Sequence, residues 1–245
     1  MDWSDEALVI GVRRHGETSV ILEAMTRDHG RHLGLVRGGR SRAMQPVLQP
    51  GNSVGIVWRA RLEEHLGTFA VEPTKGRAAR LMALPLALHG LNHLSALLHL
   101  MPERDPHPSL YEMAQTLAEH LDEPGLAPDL MVRFELALLG EFGFGLDLER
   151  CVLSGATDNL AYVSPKSGRA VSGEQGAPWR DRLLPLPAFL AGPPGKRPLQ
   201  EDMAAAFRLT GHFLEREIFA PRGIEIPAAR DRFLAELGSS VSGKT

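Results

Sequence analysis

Cysteine is nearly absent from this sequence. Cys151 is the one cysteine in 245 residues, so no disulfide can form within the chain, and a reducing compartment is expected. No uninterrupted apolar run approaches the roughly 18 residues that a membrane span needs. The opening MDWSDEALV carries neither a basic flank nor an apolar core, which argues against a secretory leader. No internal repeat is visible. The closing GSSVSGKT is small and polar, and residues 239–245 are expected to form a disordered tail.

The distribution of charge says more than the net value of -3. Residues 1–80 hold twelve Lys plus Arg against nine Asp plus Glu, and the remainder fifteen against twenty-one. Within Gly11–Arg61 the balance is nine arginines against Glu17, Glu23 and Asp28. A basic N-terminal part suits a polyanion, and an acidic remainder suits a protein partner. The basic part centres on GRHLGLVRGGRSR, Gly30–Arg42, a short apolar run followed by a glycine pair among arginines. That segment has no Asp, Glu or Cys. Guanidinium groups on a flexible loop suit a phosphate chain rather than catalysis.

Five short strands are predicted in the first 73 residues: Ala7–Arg14, Ser19–Thr26, Arg31–Val36, Ser53–Arg61 and Leu66–Glu72. Val54, Ile56 and Trp58 alternate with more polar neighbours, a period of two that places Trp58 in the core and Arg59 and Arg61 outside. Strand count and turn signals fit a small barrel, either an OB-fold or an SH3-like one. Beyond Pro73 the pattern turns helical. Arg77–Leu100 offers Leu81, Leu84, Leu88, Leu91 and Leu98 as core contacts, with Pro85 marking a start or a kink. Ser109 and Glu112 are spaced as a capping box for a helix to about Leu121. A helix over Asp129–Phe142, a hairpin insert near 150–175, an irregular Pro178–Pro198 stretch and helices over Leu199–Phe219 and Pro227–Leu237 complete the chain. The expected domains are 1–76, a nucleic-acid-binding barrel, and 77–238, helical with the insert.

Sites for chemistry are sparse. His89 and His93 have the spacing of a zinc pair, with His99 nearby, but Gly90 stands where a zincin needs glutamate and no third acidic or sulfur ligand is in view. In Gly192–Lys196, GPPGK, Leu190 replaces the first glycine of a P-loop and Arg197 replaces its Ser/Thr, which excludes nucleotide binding there. Cys151 reads as a structural thiol, and no acid/base pair stands out. On physical grounds Arg37, Arg40, Arg42, Arg59 and Arg61 are the DNA-binding candidates, with Arg13 and Arg31 weaker.

Three segments together resemble one family. They are HGETSVILEAMTRDHGRHLGLVRGGRSR, LQPGNSVGIVWRARLEEHLGTFAVE and VRFELALLGEFGFGLDLERC. In order and spacing they are similar to the RecO family of bacterial recombination mediators, over about Leu8 to Leu237. The resemblance implies an α+β chain: a five-stranded OB-fold followed by a helical domain with a small zinc-finger-like insert. It implies a cytoplasmic, nucleoid-associated protein that is not an enzyme. Such a protein binds single- and double-stranded DNA, anneals complementary strands and, with RecR, helps load RecA onto DNA coated by single-strand-binding protein. It implies that Arg133 helps hold the acidic, Phe-ended tail of single-strand-binding protein, and it implies no membrane and no small-molecule substrate. The alternative is a general OB-fold nucleic-acid-binding module, or a partner-docking adaptor, without mediator activity. Zinc-bearing relatives carry two C-x-x-C pairs in the insert. Here Cys151 is followed by Ser154, Ser172 and Gln175 at the other three positions, so no metal and no cofactor are expected. Packing of Leu153, Leu160, Tyr162 and Val171 is then expected to hold the hairpin.

Overall fold

The computed structural model describes residues 1–191, 198 and 200–242; the GPPGK segment lies outside them. Five strands come first: β1 (Asp2–His15), β2 (Ser19–Thr26), β3 (Arg31–Val36), β4 (Ser53–Arg59) and β5 (Thr68–Lys75). They close into a barrel in the order β1-β2-β3-β5-β4, with β4 returning to β1 and β3 parallel to β5. This is the OB-fold arrangement, and it resolves the choice left open by strand count. β1 starts earlier than expected because it serves two partners. Asp2–Leu8 pairs with β4 and Ala7–His15 with β2, with a bulge between Val9 and Gly11 that bends the strand across the barrel.

The barrel core is built from alternate residues: Ala7, Val9, Val20, Leu22, Ala24, Val54, Ile56, Trp58 and Phe69. Trp58 is buried as expected, and its Nε1 donates to the Leu66 carbonyl at 3.0 Å. Gly67 follows with φ +67°, and a Cβ there would stand 2.2 Å from Trp58 Nε1. The β4–β5 loop therefore closes over the indole only with glycine at this position. β4 ends at Arg59, so Arg61 sits in that loop rather than on the strand.

Helices α1 (Ala78–Met82), α2 (Pro85–Leu98) and α3 (Pro108–His120) follow. Of the two outcomes expected at Pro85 within Arg77–Leu100, a helix start or a kink, the structure shows the start: Pro85 opens α2 and drives Leu84 into an extended conformation, φ -119° and ψ 123°. Leu84 is consequently exposed rather than core, and Leu88 is only half-buried, whereas Leu81, Leu91 and Leu98 are buried. The capping box also fails. Pro108 opens α3 with its preset φ, His107 occupies the N-cap position and makes no side-chain cap, and Ser109 falls inside the helix. A last helix, α7 (Ala228–Ser242), lies along α2, with the Phe233 ring against Gly90, where a Cβ would meet it at 3.1 Å. This helix runs past Leu237 into the stretch expected to be a tail; residues 243–245 lie outside the described ones.

Contacts divide the chain into two compact units, Met1–Ala127 with Pro227–Thr245, and Pro128–Ile226. The second holds most of α4 (Ala127–Glu141), then β6 (Leu160–Val163), β7 (Ala170–Ser172), a short α5 (Gly173–Gly176), β8 (Leu184–Pro185) and α6 (Gln200–Phe213). The insert is a three-stranded sheet in the order β7-β6-β8, so the proline-rich stretch contributes a strand as well as a 3-10 turn over Ala177–Arg182. Leu160 and Val171 are buried in it and Tyr162 is half-buried, but Leu153 is exposed and contributes no packing. After α6 the helix widens to a π-helix over Leu214–Phe219. Phe134, Leu138, Leu139, Phe207, Phe213 and Phe219 fill the core of this unit.

In the first unit one polar network joins the barrel to its helices. Asn52 Oδ1 accepts from the backbone N–H groups of Arg77 (2.7 Å) and Ala78 (2.9 Å), while its Nδ2 donates to the carbonyls of Pro46 and Val47. Buried Arg77 donates to Gly51 O, Ser53 Oγ, Gln115 Oε1 and Glu119 Oε2. Hydrogen bonds from Lys75 and Arg77 hold the Glu119 carboxyl down at about 2. Its stabilising contribution is therefore complete above its ordinary 4.5 and is lost as pH falls towards 2. Asn52→Ala leaves two N–H groups and two carbonyls without partners. Its expected cost is about 3 kcal/mol, seen as a lower urea midpoint at unchanged m-value.

Candidate nucleic-acid interface

Strand register decides where the arginines lie. Arg14 pairs with Val20, and Val20 pairs with Val36. One residue from Val36, Leu35 pairs with Thr68, and Thr68 pairs with Arg59. Cross-strand neighbours are about 4.8 Å apart. One line across five strands thus carries Arg13 and Arg14 at one end, Arg37 just beyond its middle, and Arg59 and Arg61 at the other end. Arg13, Arg37, Arg42, Arg59 and Arg61 are all exposed. Successive groups stand about 10 Å apart, two strand spacings.

The loop from Arg37 to Asn52 was expected to be flexible, but it is an ordered run of turns. Arg40 N donates to Thr18 O at 3.0 Å, and the Arg40 guanidinium donates to Gly16 O and Glu17 O. Gln45 Nε2 returns to Arg40 O, and Asn52 ties down Pro46 and Val47. Arg40 thus holds the loop against the β1–β2 turn. Between them is an open groove of about 680 Å³ with Val12, Val20 and Leu48 among its apolar residues and Arg14, Thr18 and Gln49 among its polar ones. Arg31 stands elsewhere, at the start of β3. Its guanidinium is engaged by Glu23 and the Met101 carbonyl, and it does not join the line.

Sequence reasoning missed Arg14. Its pairing with Val20 puts it on the inward-facing side of β1 at the barrel mouth, where the groove opens. The signal was present, since Arg14 shares the parity of Val12 opposite Leu22, but it required the register with β2.

In the second unit Arg133 lies on α4, one-third exposed. It donates from Nε to Asp129 one turn earlier at 2.8 Å, and its guanidinium carbon stands 5.7 Å from the centroid of the buried Phe189 ring. A cation beside an aromatic wall is an arrangement that can receive a carboxylate and an apolar group together.

The insert brings Cys151, Ser154 and Ser172 together. Burial raises the Cys151 thiol, but hydrogen bonds from the hydroxyl and N–H groups of Ser154 and Ser172 outweigh it and bring the thiol down to about 6. One sulfur with two hydroxyls and an exposed glutamine is a poor donor set for zinc. Among the described residues no three His, Cys, Asp or Glu side chains converge as metal ligands, and His93 is buried in α2. No described helix is long and apolar enough to cross a membrane.

The sequence matches two family descriptions, Recombination protein O N terminal over residues 1–77 and Recombination protein O C terminal over residues 85–223. The chain belongs to the RecO family. It is 62% identical over 247 residues to the DNA repair protein RecO of Methylobacterium nodulans, covering 99% of this chain and 100% of the relative. Against the DNA repair protein RecO of Rhizobium etli strain CIAT 652 the identity is 60% over 235 residues, covering 96% of this chain and 91% of that one. The protein of the same name from Sinorhizobium medicae is 58% identical over 234 residues, with 96% and 94% covered. A role in DNA repair and recombination follows, with DNA binding as part of it. For this RecO-family chain the hydroxyl-rich donor set predicts less than about 0.1 zinc per chain after purification without chelators. Elemental analysis checks this, and one zinc per chain would contradict it.

Proposed function

We propose that this chain is a recombination mediator that works by binding DNA rather than by catalysis. It binds single- and double-stranded DNA along the arginine line of the barrel and anneals complementary strands. With RecR it loads RecA onto DNA coated by single-strand-binding protein. The observation that carries this reading is the cross-strand line from Arg13 and Arg14 through Arg37 to Arg59 and Arg61. Two strands approaching each other repel through their phosphates. A row of guanidinium groups neutralises that charge without reading sequence, and its contacts exchange quickly. No proton transfer, cofactor or small molecule enters this scheme. Arg37, Arg42, Arg59, Arg61 and Arg13 make the phosphate contacts. Arg40 shapes the loop, and Arg31, held by Glu23 and the Met101 carbonyl, makes no phosphate contact in this scheme.

Tail docking is placed on α4. Arg133 would receive an acidic residue or the terminal carboxylate of the tail of single-strand-binding protein, with the apolar end against the Phe189 side. Asp129 presets the guanidinium and must share it on binding.

Fluorescence anisotropy with a labelled poly-dT oligonucleotide, titrated at several salt concentrations, tests the first part. The expected log–log slope is about -3 or steeper, at ~0.7 per phosphate on single strands. Changing Arg37, Arg42, Arg59 and Arg61 together to Ala should weaken binding to every sequence and flatten the slope by about 3. An unchanged slope would remove the barrel rim from the DNA path. For the second part, Arg133→Ala should weaken binding of an acidic, Phe-ended peptide about 10-fold and leave poly-dT binding as it was. Equal peptide affinity in the variant would refute the placement on α4.

A further inference from the structure

The barrel offers little to a nucleobase. Its three aromatic rings outside histidine are Trp3, Trp58 and Phe69. Trp58 and Phe69 are buried, and Trp3 is stacked between His29 (3.9 Å) and Trp58 (5.6 Å). Single-strand binders usually combine a cationic track with open aromatic faces. Here the track lies on the barrel without the faces.

An open face stands in the other unit. Trp179 is 56% exposed, the most exposed large aromatic among the described residues. It sits in the 3-10 turn over Ala177–Arg182, which is anchored at both ends. On one side Gly176 lies so close to the Tyr162 ring that a Cβ would fall 2.4 Å from it. On the other, β8 pairs with Tyr162 and Val163 of β6. The turn is thus fixed by the insert sheet, while its indole takes no part in the core. The Arg182 guanidinium carbon lies over the indole ring, 5.7 Å from its centroid, so a base stacks on the opposite face or displaces it. Arg180 is largely exposed, and Asp181 stands 3.8 Å from it as the local carboxylate. An exposed indole flanked by two guanidinium groups offers a stacking surface beside positive charge. The flanking cations select an anionic partner that presents a flat π-face. A base on a phosphate backbone meets both requirements. An apolar peptide end would instead need an enclosing pocket.

We propose that Trp179 is a base-stacking site for single-stranded nucleic acid, with Arg182 and Arg180 holding the adjacent phosphates. The proposal rests on the DNA-binding reading above and extends it. Stacking on Trp179 requires an unpaired base, so this site recognises single strands, whereas the barrel arginines engage any phosphate chain.

The test uses the full chain, with Trp179→Ala and Trp179→Phe, and measures affinity for a labelled poly-dT oligonucleotide and for a duplex of equal length. Trp179→Ala should lose on the order of 10-fold in poly-dT affinity and change duplex affinity by less than about twofold, while Trp179→Phe keeps most of the single-strand affinity. Binding of poly-dT by Trp179→Ala at wild-type strength, or an equal loss on the duplex, overturns the stacking site but leaves the barrel reading intact. Failure of the unmodified chain to bind either nucleic acid overturns both. Selective loss of an acidic, Phe-ended peptide in Trp179→Ala, with poly-dT binding unchanged, reassigns the indole to a protein partner and also overturns the proposal.

Discussion

The hydrogen-bond network on Asn52 and Arg77 is the constraint on which the first unit depends. Arg77 is a guanidinium buried at the junction between a barrel and its helices, which is tolerable only because each of its three nitrogens finds an acceptor. Asn52 serves two ends at once. One amide oxygen closes the start of α1, and the amide nitrogen holds the far end of the loop that begins with Arg37. The loop's near end is held by Arg40 on the β1–β2 turn. Arg37 and Arg42 are therefore displayed by a loop whose two ends are tied down by hydrogen bonds. This lets the surface be strongly basic without a disordered backbone.

A second consequence concerns how charge is divided. Among the described residues, the arginines that line up across the barrel strands form no ion pair with a carboxylate, while Arg31, off the line, is paired with Glu23. In the second unit, Arg133 and Arg169 each have an aspartate partner. An open guanidinium suits a polyanion that comes and goes, and a pre-paired one suits a partner that must displace the resident carboxylate. In the insert, one buried thiol is surrounded by the hydroxyls and N–H groups of Ser154 and Ser172, which favour its thiolate form.

Much of the barrel was legible in the sequence because half-buried strands have a period of two that any reader can follow. Val54, Ile56 and Trp58 fell inward as their alternation requires. The double pairing of β1 was not legible, since it depends on a bulge and on closure against β4. Pro85 announced a helix boundary, but the exposure of Leu84 followed from the extended geometry Pro imposes on its neighbour, which a helical wheel hides. The capping box at Ser109 was a correct spacing overruled by Pro108. For the candidate site, arginine identity was readable and arginine placement was not. Arg40 and Arg31 look like Arg37 and Arg42 in sequence, and only their hydrogen bonds to distant carbonyls separate them.

Footprinting of the arginines themselves tests the account most directly. The full chain would be treated with phenylglyoxal, with and without a saturating poly-dT oligonucleotide, and each arginine followed by mass spectrometry. The account predicts that Arg37, Arg42, Arg59 and Arg61 lose reactivity when DNA is bound, while exposed Arg150 reacts as before. Equal reactivity of those four with and without bound DNA would contradict it.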